Sequence, residues 1–410
     1  MVVTAVVTSA LVGCSVDGSS APADAVLTAP TGSAASTAPT SPRASPQVAF
    51  PVRTIDVADT EPVALTVVDT VGSAPTRPWL RTVGESGRYR AVVTWRRHEA
   101  VLPVGTSPIA VMRNGIAVTG AYGTKLRFVD WSGRMMHVPA APHGAIRAVV
   151  GTGRQLLWSA AGPGGDDILK RWVPGRAVRR VTIDPGERPR RASRLRIVPV
   201  GSFGAADHVY GNFWKTHGVQ DALTYARTSG RPAAWQLSSI WAISPAAELV
   251  AGWPRQVGGG SNCVAVYRSD GDVPLWTRCF LRRGKPVEAR VEGFDRAGRR
   301  LLVTVAGGGW AGPAASFHIG RNTLLSLDAK TGRVASRLDA NAAGHVSEGD
   351  DSFLFVQHRL PLGWRQGRDE GPYESWIVRC SWRGRCERAT VPVPNDTFHP
   401  WGVQLLSDRS

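Results

Sequence analysis

Four of the five cysteines fall in two pairs whose spacing suits oxidative cross-linking. Cys263 and Cys279 lie symmetrically about Gly271, and Cys380 and Cys386 symmetrically about Arg383. Each pair brackets a turn between two apolar runs, so the two thiols can meet across antiparallel strands. Directly opposed strand residues have Cα atoms roughly 4.5–5.5 Å apart, inside the span of about 4.4–6.8 Å that a disulfide bridges. Four cysteines allow about three connectivities, and Cys263–Cys279 with Cys380–Cys386 is the one expected. Zinc is the rival chemistry, but CxxC spacing is lacking and no histidine sits beside either pair. The expectation is two disulfides, no metal and no cofactor.

Catalytic constellations are otherwise missing from the sequence: there is no GxSxG, HExxH, P-loop or dinucleotide-binding glycine pattern. The nine histidines are scattered. Aromatic and cationic side chains instead concentrate in a few long connections: Trp214, Lys215 and His217; Trp253 and Arg255; Trp310, His318 and Arg321; Trp364, Arg365, Arg368, Asp369, Glu370 and Tyr373. Trp, Tyr and Arg are the residues most enriched at interaction hot spots. These fourteen are the candidate binding face, and no residue is assigned a catalytic role.

The elements that must carry these residues are hairpins. The stretch LLSLDAKTGRVASRL (324–338) reads as strand, tight turn, strand. Equivalent hairpins turn at Gly133, Gly175, Gly230, Gly271, Gly332 and Gly384, a period of roughly 50 residues, and a four-stranded propeller blade is the repeat unit of that length. Read as four strands per repeat, residues 108–392 hold six such units. A lone strand at 401–406 remains, with incomplete strands before residue 105, including one at Val63–Asp69. Strands from opposite ends completing one blade would close the ring and protect its edges. The expectation is therefore an all-β protein, a β-propeller of four-stranded blades. Seven blades are favoured, and six is the alternative if residues 52–105 only pack beside another sheet. In this reading the long connections all join second to third strands, so they emerge on one face of the disc, where rigid scaffolds usually carry function.

The N-terminus supplies an address. Val2 to Val12 is a short apolar run ending in Leu11, Val12, Gly13, Cys14 and Ser15, which resembles the lipobox of bacterial lipoproteins; no Lys or Arg precedes it. That resemblance implies cleavage before Cys14 and a diacylated cysteine, giving stable membrane attachment. From Ser15 to Pro46, 26 of 32 residues are Ser, Thr, Ala, Pro or Gly. Such a segment cannot bury a core, so residues 15–50 are expected to be a disordered tether between residues 1–14 and a propeller domain at 51–410.

Leu327, Asp328, Ala329, Lys330, Thr331 and Gly332 look like the repeat of quinoprotein propellers, although Ser336 stands where that repeat has its Trp. The whole chain resembles bacterial surface lipoproteins carrying a TolB-like or quinoprotein-like (WD40-like) propeller. The resemblance implies a lipid-anchored binding module on the extracytoplasmic face of the cell membrane. Its partner would be an envelope protein, a peptide or an anionic wall polymer. A propeller hydrolase or lyase acting on extracellular glycans is the alternative.

Composition agrees with these expectations. A hydrophobic fraction of 43% is enough for a core, and 15 Trp against 6 Tyr suggests tryptophan-rich packing between sheets. The net charge of +17 is carried almost entirely by arginine and reads first as a solvated basic surface, with an anionic neighbour as the functional alternative. No nucleic-acid module is present, so nucleic acid is not the expected partner.

Overall fold

Leu324 and Leu325 are adjacent in one strand, yet they enter two different hydrophobic cores. Leu325 and Leu327 pack with Leu301, Val303 and Val305, whereas Leu324 packs with Leu302, Leu338, Phe353 and Phe355. A strand lying between two neighbouring sheets buries both faces, which is why its sequence is apolar without alternation. Each fully buried Leu or Phe contributes roughly 1.5–3 kcal/mol.

This architecture comes from a computed structural model that describes residues 52–62, 66–84, 90–120, 126–139, 146–162, 165–181, 194–203, 206–214, 220–227, 237–254, 261–306, 321–349, 351–359, 373–395 and 403–406. The chain is all-β, built from successive antiparallel meanders. The 106–137 sheet runs Thr106–Met112, Gly115–Gly120, Leu126–Asp130 and Met135–His137. The 146–181 sheet runs Ile146–Thr152, Gln155–Ala161, Asp167–Trp172 and Arg179–Val181. The described strands of the 194–227 sheet are Arg194–Phe203, Ala206–Trp214 and Gln220–Arg227. The 237–282 sheet follows with Leu237–Ile243, Leu249–Pro254, Cys263–Arg268 and Pro274–Arg282.

Ala289–Phe294, Arg300–Val305 and Arg321–Asp328 then pair in order, and the first half of the long strand Val334–Ser347 completes the 289–341 sheet. The second half of that strand opens the 342–388 sheet, which continues through Ser352–Arg359, Tyr373–Ser381 and Arg385–Arg388. The C-terminal strand Val403–Leu405 pairs with Trp79–Val83, which leads into Arg90–Trp95 and His98–Val101. Strands from the two ends of the chain thus complete one closing sheet, as the leftover strands predicted.

Packing follows the same circular order. Val93, Trp95 and Leu102 of the closing sheet share a core with Val111, Ile116 and Val118. Phe128 of the 106–137 sheet meets Trp172 of the next edge-to-face, ring centroids 5.6 Å apart. Asp167 accepts from Arg196 at 2.8 Å and from the Ile197 amide at 3.1 Å, tying the 146–181 sheet to the 194–227 sheet. At the far end, Leu354, Val356 and Ile377 pack against Val403 and Trp79, returning the succession to the closing sheet. At these junctions neighbouring sheets cover each other's faces, which is how a propeller fills its core.

Local turn chemistry explains the hairpins. Gly133, Gly175, Gly332 and Gly384 have φ of 85°, 82°, 65° and 83°, a region that side chains disfavour. Gly271 is not among the positive-φ glycines, and Gly230 lies outside the described residues. Gly332 is also required sterically, because a Cβ there would lie 2.6 Å from the Trp276 ring of the neighbouring sheet. Its turn is docked by Trp276, whose Nε1 donates to the Ala329 carbonyl at 2.9 Å, and by Arg278, which donates to Thr331 at 2.8 Å.

Residues 52–71 depart from the meander plan. Val52–Asp56 pairs in parallel with the fourth strand of the 237–282 sheet, and Thr66–Val71 in parallel with Arg385–Arg388. Of the strand expected at Val63–Asp69, residues 63–65 lie outside the described residues and the rest falls in Thr66–Val71. Both segments pack beside other sheets, while residues 79–101 build one. The condition of the six-blade alternative, that residues 52–105 only pack beside another sheet, is therefore met by 52–71 and not by 79–101.

Candidate functional site

In a meander, turns between first and second strands and between third and fourth strands lie at one end of the ring. Connections between second and third strands lie at the other. The two ends therefore differ chemically: one is made of tight turns, the other of the long connections singled out for their tryptophans and arginines.

Few of those residues can be placed. Lys215, His217, Arg255, Trp310, His318, Trp364, Arg365, Arg368, Asp369 and Glu370 lie outside the described residues, as does Cys14. Trp214 ends its strand, in register with Arg194 and Gln220. Arg321 begins a strand opposite Asn341, and Tyr373 another opposite Asn395. Their backbones thus sit where second strands end and third strands begin, the end of the ring from which the long connections leave.

Trp253 is the one candidate whose side chain is described, and it is half-buried between sheets. Its Nε1 donates to the Ala289 carbonyl at 2.9 Å, and its ring stands edge-on to Trp241 at 5.0 Å. Arg290 lies over Trp241 at 5.7 Å. This cluster joins the 237–282 and 289–341 sheets beside the long-connection end. Among the described tryptophan side chains none is exposed, so the richness in Trp serves packing wherever it can be seen.

Both expected disulfides are present. Cys263 and Cys279 are direct cross-strand partners with Cα atoms 4.0 Å apart, and Cys380 and Cys386 likewise at 4.1 Å. Their position has a second feature that local spacing does not reveal. Thr54 lies in register with Cys279, and Val67 with Cys386. Each disulfide therefore clamps the edge strand on which an N-terminal strand is laid.

Between those two strands the N-terminal segment is held by ionic anchors that the sequence reading missed. Arg337 donates to the carbonyls of Val57 and Thr60 and to Asp339, the last at 2.7 Å. Burial pushes the Asp339 carboxyl up, but hydrogen bonds from Arg337 and Thr323 outweigh it and hold the group below its usual range. Asp56 accepts from the Gly284 amide at 2.7 Å and from the Ala58 amide at 2.9 Å, which lowers its pKa in that order of importance.

Farther along, Arg379 donates to Glu348, to Glu387 at 2.7 Å, and to the Ser73 and Ala74 carbonyls at 3.0 and 3.1 Å. The bond to Glu348 is the main reason its guanidinium is held even more firmly protonated than usual. Glu348, only 3% exposed, also accepts from the Thr76 amide at 2.7 Å. Single charged residues inside strands gave no sequence signal for these roles, since their partners lie about 270–310 residues away in the chain.

One titratable group lies deep in the 342–388 sheet near the same end as Trp253. His358 is buried opposite Ser375, and burial lowers its pKa to about 4, so it is neutral at physiological pH. Among the described residues no group of three His, Cys, Asp or Glu side chains converges as metal ligands would.

No protein-family model matches the chain, and no curated protein sequence is similar to it. Among solved structures the chain is similar to a hypothetical selenium-binding protein from Sulfolobus tokodaii, with TM-score 0.46 and 9% identity over 82% of this chain and 93% of that one. It is also similar to the TolB structure from Agrobacterium tumefaciens, with TM-score 0.35 and 11% identity over 78% and 90% of the two chains. The Dos1 propeller gives TM-score 0.40 and 11% identity over 76% and 82%. At these scores the assignment rests on the chain's own strand pairing, and by that pairing it is an all-β protein of propeller type.

Proposed function

We propose that the protein is a lipid-anchored, extracytoplasmic propeller that acts as a binding module, its partner docking on the long connections between second and third strands. The observation that carries this reading is the pairing of both disulfides across outer hairpins, since such bonds persist in oxidising compartments. The lipobox-like run ending at Cys14 supplies the anchor in the same reading. A ring of seven blades is supported by the circular order of packing; residues 228–236, after the third strand of the 194–227 sheet, lie outside the described residues. The partner is an envelope protein, a peptide or an anionic wall polymer.

The test uses the full chain carrying Cys14→Ala, presented to envelope proteins and purified wall polymers at low and near-physiological salt. A salt-resistant partner lost with Trp310→Ala or Trp364→Ala is the expected result. Binding unaffected by either substitution would move the site elsewhere. The native chain should fractionate with membranes and the Cys14→Ala chain should not; equal distribution of the two would sink the anchor.

A further inference from the structure

The turn end of the ring is chemically distinct from the end just discussed, and it is the end from which the chain enters the fold. Val52–Asp56 runs parallel to the fourth strand Pro274–Arg282, with Val52 opposite Thr277 and Asp56 opposite Leu281. A fourth strand starts at the turn end and finishes at the long-connection end. Residue 52 is therefore reached from the turn end. Thr66–Val71 runs in the same sense beside Arg385–Arg388.

Three successive sheets place exposed arginines on the turns at that end. In the closing sheet they are Arg96 and Arg97, in the 106–137 sheet Arg113 and Arg134, and in the 146–181 sheet Arg154 and Arg176. The turns themselves are stiff. Arg96 has a φ of 57°, which fixes a tight hairpin, and Trp131 donates its Nε1 to the Arg113 carbonyl at 3.1 Å. Asp130 is the carboxylate among the described turn residues of these sheets. Its Oδ1 is occupied by the amides of Ser132 and Arg134, at 3.0 and 2.9 Å. The 237–282 sheet contrasts with them, since its turns expose Glu248, Asp270 and Asp272. Exposed cations continue on the turns of the 289–341 sheet, at Arg296, Arg299, Lys330 and Arg333, and of the 342–388 sheet, at Arg383 and Arg385, so among the described residues basic charge spans the turn end apart from the acidic turns of the 237–282 sheet.

We propose that the turn end of the ring is a membrane-facing surface that takes the headgroups of anionic phospholipids. Charge complementarity selects an anionic surface, and the entry of the N-terminal strand from the same end places that surface on the tether side. Each basic side chain near an anionic bilayer adds about fivefold in affinity, falling off within a Debye length. This assignment rests on the anchored reading above. It also deepens that reading, because it turns the long connections away from the bilayer and toward a partner.

The experiment uses the full chain with Cys14→Ala, sedimented with phosphatidylcholine vesicles that contain or lack about one-third phosphatidylglycerol. Binding only to the anionic vesicles, weakened by salt, is expected. Arg134→Glu with Arg176→Glu should reduce it about tenfold or more, and the milder Arg134→Gln with Arg176→Gln should do so to a lesser degree. Arg283→Glu with Lys285→Glu, beyond the fourth strand at the opposite end, makes the same change in net charge and should leave it unchanged. Equal loss with Arg283→Glu and Lys285→Glu would show that net charge alone acts and overturn the face assignment. Failure to bind anionic vesicles would overturn it outright, as would preference for soluble inorganic polyphosphate over vesicles. Native-chain fractionation reads the anchor separately: anionic-vesicle binding by the Cys14→Ala chain, with a native chain that does not fractionate with membranes, removes the anchor and keeps the face.

Discussion

The 237–282 and 342–388 sheets treat their outer edges differently from the 106–137 and 146–181 sheets. In the first two, the fourth strand is disulfide-bonded to the third and covered by an N-terminal strand in parallel. In the other two, the fourth strand is only three residues long, Met135–His137 and Arg179–Val181. Short edges offer little backbone to pair with other chains, and in Arg179–Val181 two arginines add charge. Covered edges behave differently, because a strand laid on them must stay registered although it belongs to a distant part of the chain. A cross-strand disulfide at the registered residue stops the edge from peeling. The comparison teaches that cross-links stand where the chain adds strands from outside the meander.

The largest effect expected from breaking this arrangement is at Arg379. Its side chain is 15% exposed and that of Glu348 3%, so Arg379→Met leaves a buried carboxylate without its partner. Loss of one member of such a pair costs about 3–5 kcal/mol, measurable by urea unfolding. A loss below 1 kcal/mol would mean that the N-terminal segment does not depend on this anchor.

Next come the disulfides, which close loops of sequence separation 16 and 6. Loop-closure entropy gives about 3 kcal/mol for the longer loop and about 2 kcal/mol for the shorter. Cys263→Ser with Cys279→Ser should therefore destabilise more than Cys380→Ser with Cys386→Ser. Amide exchange should also speed up at residues 52–56 in the first variant and at 66–71 in the second, with 79–83 unaffected. Uniform acceleration across all three segments would break the link between each disulfide and its covering strand.

His358 sharpens the comparison through pH. Burial holds its folded pKa at about 4, below the ordinary 6.5. The unfolded chain takes up this proton first as pH falls, so the contribution is fully present above about 6.5. It is lost progressively down to about pH 4 and then levels off. Relative to His358→Gln, the native chain should lose up to about 3 kcal/mol across that window. Parallel pH profiles for the two proteins would place the acid sensitivity elsewhere.

The smallest effect is expected at Arg179–Val181, an edge that no described strand covers. Arg179 is exposed and directly opposite Arg171, whose pKa is lowered by burial and then by Arg179 itself. Arg179→Ala should change stability by no more than about 0.5 kcal/mol. A larger loss by thermal unfolding would mean that this edge, too, has a covering partner.

The sequence alone determined whatever depends on short-range rules. Turn glycines, apolar runs and cysteines placed symmetrically about turns specified the hairpins and both disulfides, because strand pairing across a tight turn leaves one register. The unpaired strand near the C-terminus likewise implied a sheet completed from both ends. The course of residues 52–71 was decided only by tertiary structure. Thr54 opposite Cys279 and Val67 opposite Cys386 are parallel pairings made through backbone groups, and no side-chain pattern in either segment encodes a partner so remote. The anchors at Arg337 and Arg379 follow from that course, whereas the turn arginines share one end because successive sheets repeat in the same orientation. Trp253 was legible as a tryptophan beside a long connection. Its use as a wedge between two sheets depended on a neighbour, Ala289, that only the folded chain brings to its indole.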